Sequence, residues 1–361
     1  MTMLTEERAH ALAQACQPFQ EFLGQLTAND LLDWIEHELG HHQALDDYQQ
    51  VGDILTKARP PKHLLHIVSG NTPHAGLQSL LRGLLVGAQN TVKLPKSDTQ
   101  SPSIPELYTF HNHLPDTLKP LCNFTDTLDL PLLHSADTVI AIGSDQAIAD
   151  IHNQLLPQQR FIPHGHKISF ALIDKPSTKH AQLAAVDASL YDQQGCLSPH
   201  VIYVKENAAA FAPMLAKAME HYHHTNPRTG LTLSESGAIR NLRETIRYQA
   251  AIEPENFQLY ESPQGTHWTV IYENAPTLVP SPQNRTIYVK PWPENPHLLG
   301  TELEYLSTIA LSPLSALLNE VEILNPARIC QLGKAQHPHL FWHHDGFAPL
   351  ASLVTWQDIH L

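Results

Sequence analysis

Three short stretches of this 361-residue chain combine residue types that can do chemistry. The first is Tyr191-Asp192-Gln193-Gln194-Gly195-Cys196-Leu197-Ser198-Pro199, which runs directly into the apolar, β-branched segment Val201 to Val204. A thiol where a turn hands over to a strand is open to a substrate carbonyl. Gly195 would let the turn bend sharply and leave the neighbouring backbone uncovered, so the same carbonyl could meet a main-chain N–H. A cysteine nucleophile beside an oxyanion donor is the arrangement of acyl transfer. The competing reading is a buried, inert cysteine, the commoner fate of an isolated thiol.

The second stretch is His37-Glu38-Leu39-Gly40-His41. On a continuous helix its histidines share a face at i and i+4, and Glu38 could act as base toward a zinc-bound water. Asp47 falls where a third ligand could follow. Against this, Ala44 stands where a glycine would turn the chain back, and the helix could stop at Gly40. A solvated helix end carrying histidines, favourable at the negative end of the helix dipole, accounts for the same residues without metal. The third stretch is Gly143-Ser144, after an apolar run and before a helical pattern, where the first amides of the helix could face a phosphate. No GxGxxG occurs, and the same pair also makes an ordinary turn between strand and helix. The 25 histidines include His221, His223 and His224, the pair His343-His344, and His164-Gly165-His166. None has ligand spacing on a recognisable element, so they read as surface groups and no metal is assigned.

The elements that must position these residues alternate. Residues 1 to about 60 read as helices, with Leu31, Leu32, Ile35 and Leu39 on one face and Asn29 or Asp30 as N-cap. A strand from His63 ends in Ser69-Gly70-Asn71-Thr72-Pro73. A helix follows with Leu77, Leu80, Leu81, Leu84 and Leu85 at i, i+3, i+4, i+7 and i+8, and then a strand over Thr91 to Pro95. This is a β-α-β unit with parallel strands. The alternation continues through a helix at Ile104 to His113, strands at Leu121 and Asp137, and a helix at Gln146. Phe161 to Asp174 reads as strand-turn-strand. After Cys196 come a strand, a helix with Phe211, Met214, Leu215, Ala218, Met219 and Tyr222 on its core face, and strands at Thr266, Thr286, Leu306 and Arg328. The fold class is α/β, and the alternation up to about residue 155 makes a doubly wound domain, which binds ligands at the C-terminal ends of its strands.

Composition narrows the function classes. Hydrophobic residues make up 42% and charged residues 16%, as in ordinary folded proteins. Lys+Arg is 22 against Asp+Glu 36, a net charge of −14, which gives no general attraction for nucleic acid or an anionic membrane. No apolar run is long enough to span a bilayer, and Met1 to Arg8 lacks a basic start followed by an apolar core. The four cysteines are far apart and read as free thiols, so the expected compartment is the cytoplasm.

Four pieces in order carry a resemblance: Ser69 to Pro73, Ile142-Gly143-Ser144-Asp145, His164-Gly165-His166-Lys167-Ile168-Ser169, and Gln194 to Pro199. From about residue 60 to a short helix-like tail after Asp345-Gly346, the chain resembles the aldehyde dehydrogenase superfamily. More narrowly, it resembles the acyl-CoA reductase family that includes the fatty-acid reductase of bacterial bioluminescence. Beyond the helical segment over 1–60, the resemblance implies an aldehyde-dehydrogenase-like α/β fold of two doubly wound lobes around a central cleft, with a dinucleotide-binding domain over 61–175, a catalytic domain over 176–330 and a tail over 331–361. It implies Cys196 as nucleophile, Asn71 as oxyanion-hole amide, and Gly143-Ser144 at a cofactor pyrophosphate. Lys93, Lys96 and Lys167 would be cofactor contacts, with His164 or His166 as acid or base. The implied reaction is reduction of an acyl-CoA or acyl-carrier thioester to an aldehyde by NADPH, with NADH left open, in a homo-oligomer. Two departures stand out. Pro163 to Lys167 has no glutamate to activate a hydrolytic water, and none grips the nicotinamide ribose near Leu278 to Pro282. Two alternatives remain: an inactive relative acting as a binding or scaffold subunit, and a zinc hydrolase built on His37 to His41.

Overall fold

The computed structural model describes residues 3–70, 73–95, 104–228 and 230–361. Two of the expected site residues, Asn71 and Lys96, lie outside the described residues. The chain forms two compact units, residues 1–166 with 339–361, and residues 167–338.

The first unit opens with helices α1 (Thr5–Cys16), α2 (Gln20–Leu23) and α3 (Ala28–Leu39). The cap of α3 is Thr27 rather than Asn29 or Asp30. Its hydroxyl accepts from the Asp30 N–H at 3.2 Å, and the Asp30 carboxylate accepts from the Thr27 N–H at 2.8 Å, a capping box. The helical reading of residues 1–60 fails beyond this point. Strands β1 (Gln49–Val51) and β2 (Ile54–Arg59) form a hairpin around Gly52, whose φ of +63° suits glycine.

Next come β3 (His63–Ile67), α4 (Pro73–Val86), β4 (Gln89–Lys93), α5 (Pro105–His113) and β5 (Cys122–Thr125). They are followed by α6 (Leu130–Ser135), β6 (Thr138–Ile142), α7 (Asp145–His152) and β7 (Arg160–His164). The five strands β3 to β7 form a wholly parallel sheet in the order β5-β4-β3-β6-β7. As the spacing predicts, α4 buries Leu77, Leu80, Leu81, Leu84 and Leu85. Beneath it lies a fully buried polar chain. His66 Nε2 donates to Asn90 Oδ1 at 3.0 Å, and its Nδ1 accepts from the Ser79 hydroxyl at 2.7 Å. The Asn90 amide donates to Ala88 O at 2.7 Å, so every group is satisfied without a charge.

The second unit contains β8 (Ile168–Ile173), α8 (Thr178–Ser189), β9 (Pro199–Val204), α9 (Ala208–Thr225), α10 (Leu233–Ile252), β10 (Phe257–Glu261) and β11 (Thr269–Glu273). It continues with β12 (Thr286–Pro291), β13 (Leu306–Ser312), α11 (Leu314–Val321) and β14 (Arg328–Gln331). Its sheet runs β10-β11-β12-β9-β8-β13-β14, parallel except for β10 against β11. Alternate residues of β8 and β9 enter different cores. Ala171, Ile173, Ile202 and Val204 face one, and Phe170, Leu172, Val201 and Tyr203 face the other. That is why these strands read as continuous apolar runs. On α9 the buried face is Phe211, Ala212, Leu215, Ala216 and Met219, while Met214 is exposed.

The final segment returns to the first unit. Instead of a helix-like tail, it ends in β15 (Thr355–His360), antiparallel to β2 in the sheet β1-β2-β15. The two compact units divide after residue 166, and residues 339–361 belong to the first.

The polar chain under α4 can be tested in two ways. An added Cβ at Gly83 would lie 1.9 Å from Asn90 Oδ1 and 2.9 Å from Leu64 Cδ2. Gly83→Ala should therefore cost about 3 kcal/mol or more, read as a lower urea midpoint. Burial also pushes the His66 imidazole down to about 4, so it is neutral in the folded chain. The unfolded chain takes up that proton first, so the stability His66 contributes is present above its ordinary value of 6.5 and lost as pH falls toward 4. Unfolding free energies measured across that window should fall with pH, and less steeply in His66→Gln.

Candidate functional site

Five of the expected residues lie along one edge of the parallel sheet in the first unit. Strands β4 and β5 fan out on one side of β3, and β6 and β7 on the other. The strand order therefore reverses between β3 and β6, and open α/β sheets bind ligands at such a point, beyond the C-terminal ends of the strands. There β3 runs toward Gly70, β4 ends in Lys93, β6 enters Gly143-Ser144, and β7 ends in His164, which is followed by His166.

Ser144 caps α7, its hydroxyl accepting from Ala147 N at 3.3 Å. Gly143 donates its N–H to His164 O at 3.2 Å, tying the two strand ends together. Asp145, first in α7, accepts from the His166 N–H at 2.7 Å. Gly165 permits that approach, since a Cβ there would lie 2.5 Å from the Asp145 carboxylate. Lys167 belongs to the second unit, where it precedes β8.

His164 has a partner that no motif announces. Its Nδ1 donates to Asp345 Oδ2 at 2.7 Å, and the two side chains are 13% and 6% exposed. The His344 ring stacks on His164 at 4.2 Å between centroids and 16° between planes. Burial and the neighbouring His164 push His344 down to about 3, so it is neutral near pH 7. The donor atoms of His164, His344 and Asp345 lie within 4.8 Å of one another. An imidazole lone pair lies in its ring plane, however, and two nearly parallel stacked planes share no nearby point at which one ion could sit. The arrangement suits an imidazole oriented by a carboxylate better than coordination.

The second unit holds the turn that carries Cys196. This cysteine is half-buried, whereas the other three are buried. Burial pushes the thiols of Cys16 and Cys122 up to about 12 and that of Cys330 up to about 11. Those three are therefore protonated and inert near neutral pH.

The sharp bend does not come from Gly195, as the sequence suggests. It is made by Tyr191, Asp192 and Gln193, with φ of 54°, 54° and 65°. Three successive side-chain-bearing residues in the left-handed region are costly, and contacts hold them there. Buried Gln193 donates to Pro199 O at 2.8 Å and to Ser281 Oγ at 3.3 Å, and accepts from Thr286 N at 2.8 Å. Asp192 pairs with Arg285 at 2.7 Å, and Gln194 donates to Asn284 Oδ1 at 2.9 Å. The opposing segment, Gln283 to Arg285, is itself left-handed, with φ of 58°, 59° and 60°. The Cys196 carbonyl accepts from Ser169 Oγ at 2.7 Å at the start of β8. Ser198 Oγ accepts from the Gln336 amide at 2.7 Å.

The zinc reading of His37 to His41 does not survive. Helix α3 ends at Leu39, and Gly40 takes the left-handed C-cap position with φ of +83°. His41 is therefore off the helix, and its Nδ1 accepts from Gln43 N at 3.0 Å. Glu38 is already engaged by the Leu350 and Ala351 N–H groups at 2.6 and 2.9 Å and by the Trp34 indole. His37 stacks on Phe341 at 5.2 Å.

If Gln193 holds the Cys196 turn, Gln193→Ala should lower stability by about 1–3 kcal/mol, because it removes the buried bonds to Pro199 O and Ser281 Oγ and leaves Thr286 N with Gln283 O alone. Alkylation of the native protein by iodoacetamide should modify Cys196 well ahead of the other three thiols, with that preference reduced in the variant. Peptide mass mapping after brief labelling reads both.

Known proteins share this architecture and much of the sequence pattern. The family model described as acyl-CoA reductase (LuxC) matches residues 3–356. The long-chain acyl-protein thioester reductase of Aliivibrio fischeri is 25% identical over 342 residues, 90% of this chain and 70% of that protein. The protein of the same description from Photorhabdus luminescens is 26% identical over 347 residues, 90% of this chain and 69% of its own length. Among solved structures, the γ-glutamyl-γ-aminobutyraldehyde dehydrogenase of Burkholderia cenocepacia aligns with a TM-score of 0.71 at 12% identity, covering 99% of this chain and 84% of that one. A mutant of aldehyde dehydrogenase C from Pseudomonas syringae, solved with NAD+ and octanal, aligns at 0.69 and 12% identity, covering 99% and 85%. The fold is thus that of the aldehyde dehydrogenases. By the match across nearly its whole length, the chain belongs to the acyl-CoA reductase (LuxC) family of oxidoreductases.

Proposed function

We propose that this enzyme reduces an acyl thioester to an aldehyde with electrons from NADPH, by way of an acyl group carried on Cys196. The observation that carries this reading is that Cys196, alone of the four cysteines, is not buried, and sits on a braced, left-handed turn. The relatives' description as acyl-protein thioester reductases favours a long-chain acyl group on a protein or CoA thiol as substrate.

A free thiol titrates near ~8.5, so the first requirement is removal of the Cys196 proton. The thiolate then attacks the thioester carbonyl, the carbon–sulfur bond to the carrier breaks, and the departing thiolate takes up a proton. His164, or His166 beside it, is the acid–base group for these transfers. The Cys196 N–H would hold the carbonyl oxygen as it becomes negative, such a donor being worth about 2.7–4 kcal/mol.

The reversal of strand order, the Gly143-Ser144 turn opening α7, and Lys93 at the end of β4 fit a dinucleotide at the edge of the parallel sheet. NADPH, when bound, supplies the two electrons that take the acyl group to the aldehyde level. The segment Pro163 to Lys167 holds no carboxylate to activate water, which favours release as aldehyde over hydrolysis to the acid. No helix among the described residues is long and apolar enough to cross a membrane. We take the enzyme to work in the cytoplasm as a homo-oligomer.

Cys196→Ala should abolish acyl-CoA-dependent NADPH oxidation while leaving the melting temperature within a few degrees of the parent. Mass spectrometry of the parent protein with acyl-CoA and no nucleotide should show one acyl adduct, on Cys196. Undiminished turnover in the variant, or an adduct on a different cysteine, would discard the mechanism.

A further inference from the structure

We infer that Asp345 is a positioning residue for His164: it fixes the imidazole with Nδ1 bound to the carboxylate, and so makes Nε2 the nitrogen that exchanges protons during the reaction. This rests on the reading of His164 as the acid–base group and identifies what makes it competent.

The pairing is built, not incidental. Asp345 lies 181 residues from His164, and its backbone is in the left-handed region with φ of 53°, followed by Gly346 at 86°. Hydrogen bonds from Gly346 N to His343 O at 3.1 Å and from Phe347 N to His344 O at 3.0 Å close this tight turn. Asp is among the few residues that tolerate such a conformation. The carboxylate is 6% exposed, and the C-terminal segment that carries it is anchored in the first unit by the Glu38 contacts and by β15.

A purely structural ion pair would be a poor choice here. Buried charges are less stabilising than apolar packing of the same volume unless they are paired and used. The pair also lies at the strand end that accepts from Gly143, where the strand order reverses.

The groups around the pair set its charge. His344 stacks on His164 and is neutral. His74, pushed down to about 4 by burial, is neutral as well. Arg82, lowered to about 10 by burial, stays cationic near Glu38 and Asp345. With both histidine neighbours uncharged, the Asp345 carboxylate is the group best placed to stabilise an imidazolium at His164. In the cycle, Nε2 takes up the proton released in acyl transfer and returns it to the leaving group. Nδ1 keeps its proton on the Asp345 side throughout, so no net proton is consumed by acyl transfer.

The test compares Asp345→Ala, Asp345→Asn, His164→Ala and the double variant Asp345→Ala/His164→Ala. Asp345→Ala should lower kcat about 100-fold with KM changed less than about threefold, and the double variant should be no slower than His164→Ala alone. In Asp345→Asn, which keeps the shape and loses the charge, the acid limb of the kcat–pH profile should move to lower pH. Nitrogen NMR of histidine-labelled protein, with His164 identified by its loss in His164→Ala, should show the Nδ1-protonated tautomer in the parent and its loss in Asp345→Ala. Additive losses in the double variant, an unmoved pH profile in Asp345→Asn, or an Nε2-protonated His164 in the parent would overturn the inference. Should Asp345→Ala fail to fold, the isosteric Asn variant and the parent spectrum decide. The spectrum needs no substrate, and the Cys196 adduct needs no Asp345 variant, so failure of the thioester reading and failure of the pair are separately visible.

Discussion

Six residues held in the left-handed region, Tyr191 to Gln193 and Gln283 to Arg285, are the constraint on which the turn carrying Cys196 depends. Each residue would relax toward the right-handed side by about 1–2 kcal/mol if released. What prevents release is mutual: the Gln193 amide, the Asp192–Arg285 pair and the Gln194–Asn284 bond join one strained run to the other. The benefit is positional, because Cys196 follows directly from this clamp and lies just ahead of Pro199, where β9 begins. A thiol there stays half-exposed while its immediate neighbours Gly195, Leu197 and Ser198 are buried. That combination separates Cys196 from the three whose burial leaves them protonated.

The first unit meets a different requirement. A parallel sheet whose order reverses between β3 and β6 opens a crevice beyond the strand ends, and side chains at those ends decide what it can do. The polar chain of His66, Ser79 and Asn90 is fully matched and uncharged, so it orders the sheet under α4 without electrostatic consequence at the edge. Charge is instead concentrated around His164, where Asp345, Arg82, His74 and His344 converge and only some can be ionised together.

Much of this is legible in the sequence, and the parts that are not share a cause. The leucine stripe of α4, the strand at Thr138–Ile142 and the Gly143-Ser144 turn are local patterns, and periodicity alone finds them. The hairpin of β1 and β2 escapes such a reading because its residues are mostly half-buried or exposed, without clean alternation. The tail defeats it because β15 is exposed throughout and owes its conformation to pairing with β2, near the other end of the chain. Gly195 attracts credit for a bend that Tyr191 to Gln193 make, since no local rule predicts left-handed Tyr and Gln. Asp345 and Arg285 carry no motif at all, and their roles exist only through tertiary contact. The histidine pair around Glu38 errs in the opposite direction: a pattern can be present while the helix that would use it has already ended at Leu39.

That stretch also shows how the fold disposes of a catalytic-looking carboxylate. Glu38 accepts from two consecutive backbone N–H groups and an indole, which leaves it little capacity to serve as a base. The segment Pro163 to Lys167, where a water-activating glutamate would be expected of an oxidising relative, presents His164 instead. A carboxylate at that position would be suited to pulling a proton from water, whereas an imidazole backed by Asp345 can both give and take one. Thioester exchange needs that reversibility, because the same group must free the attacking thiol and quench the departing one. In the proposed mechanism, an imidazole at this position backed by Asp345 would favour thioester exchange over hydrolysis.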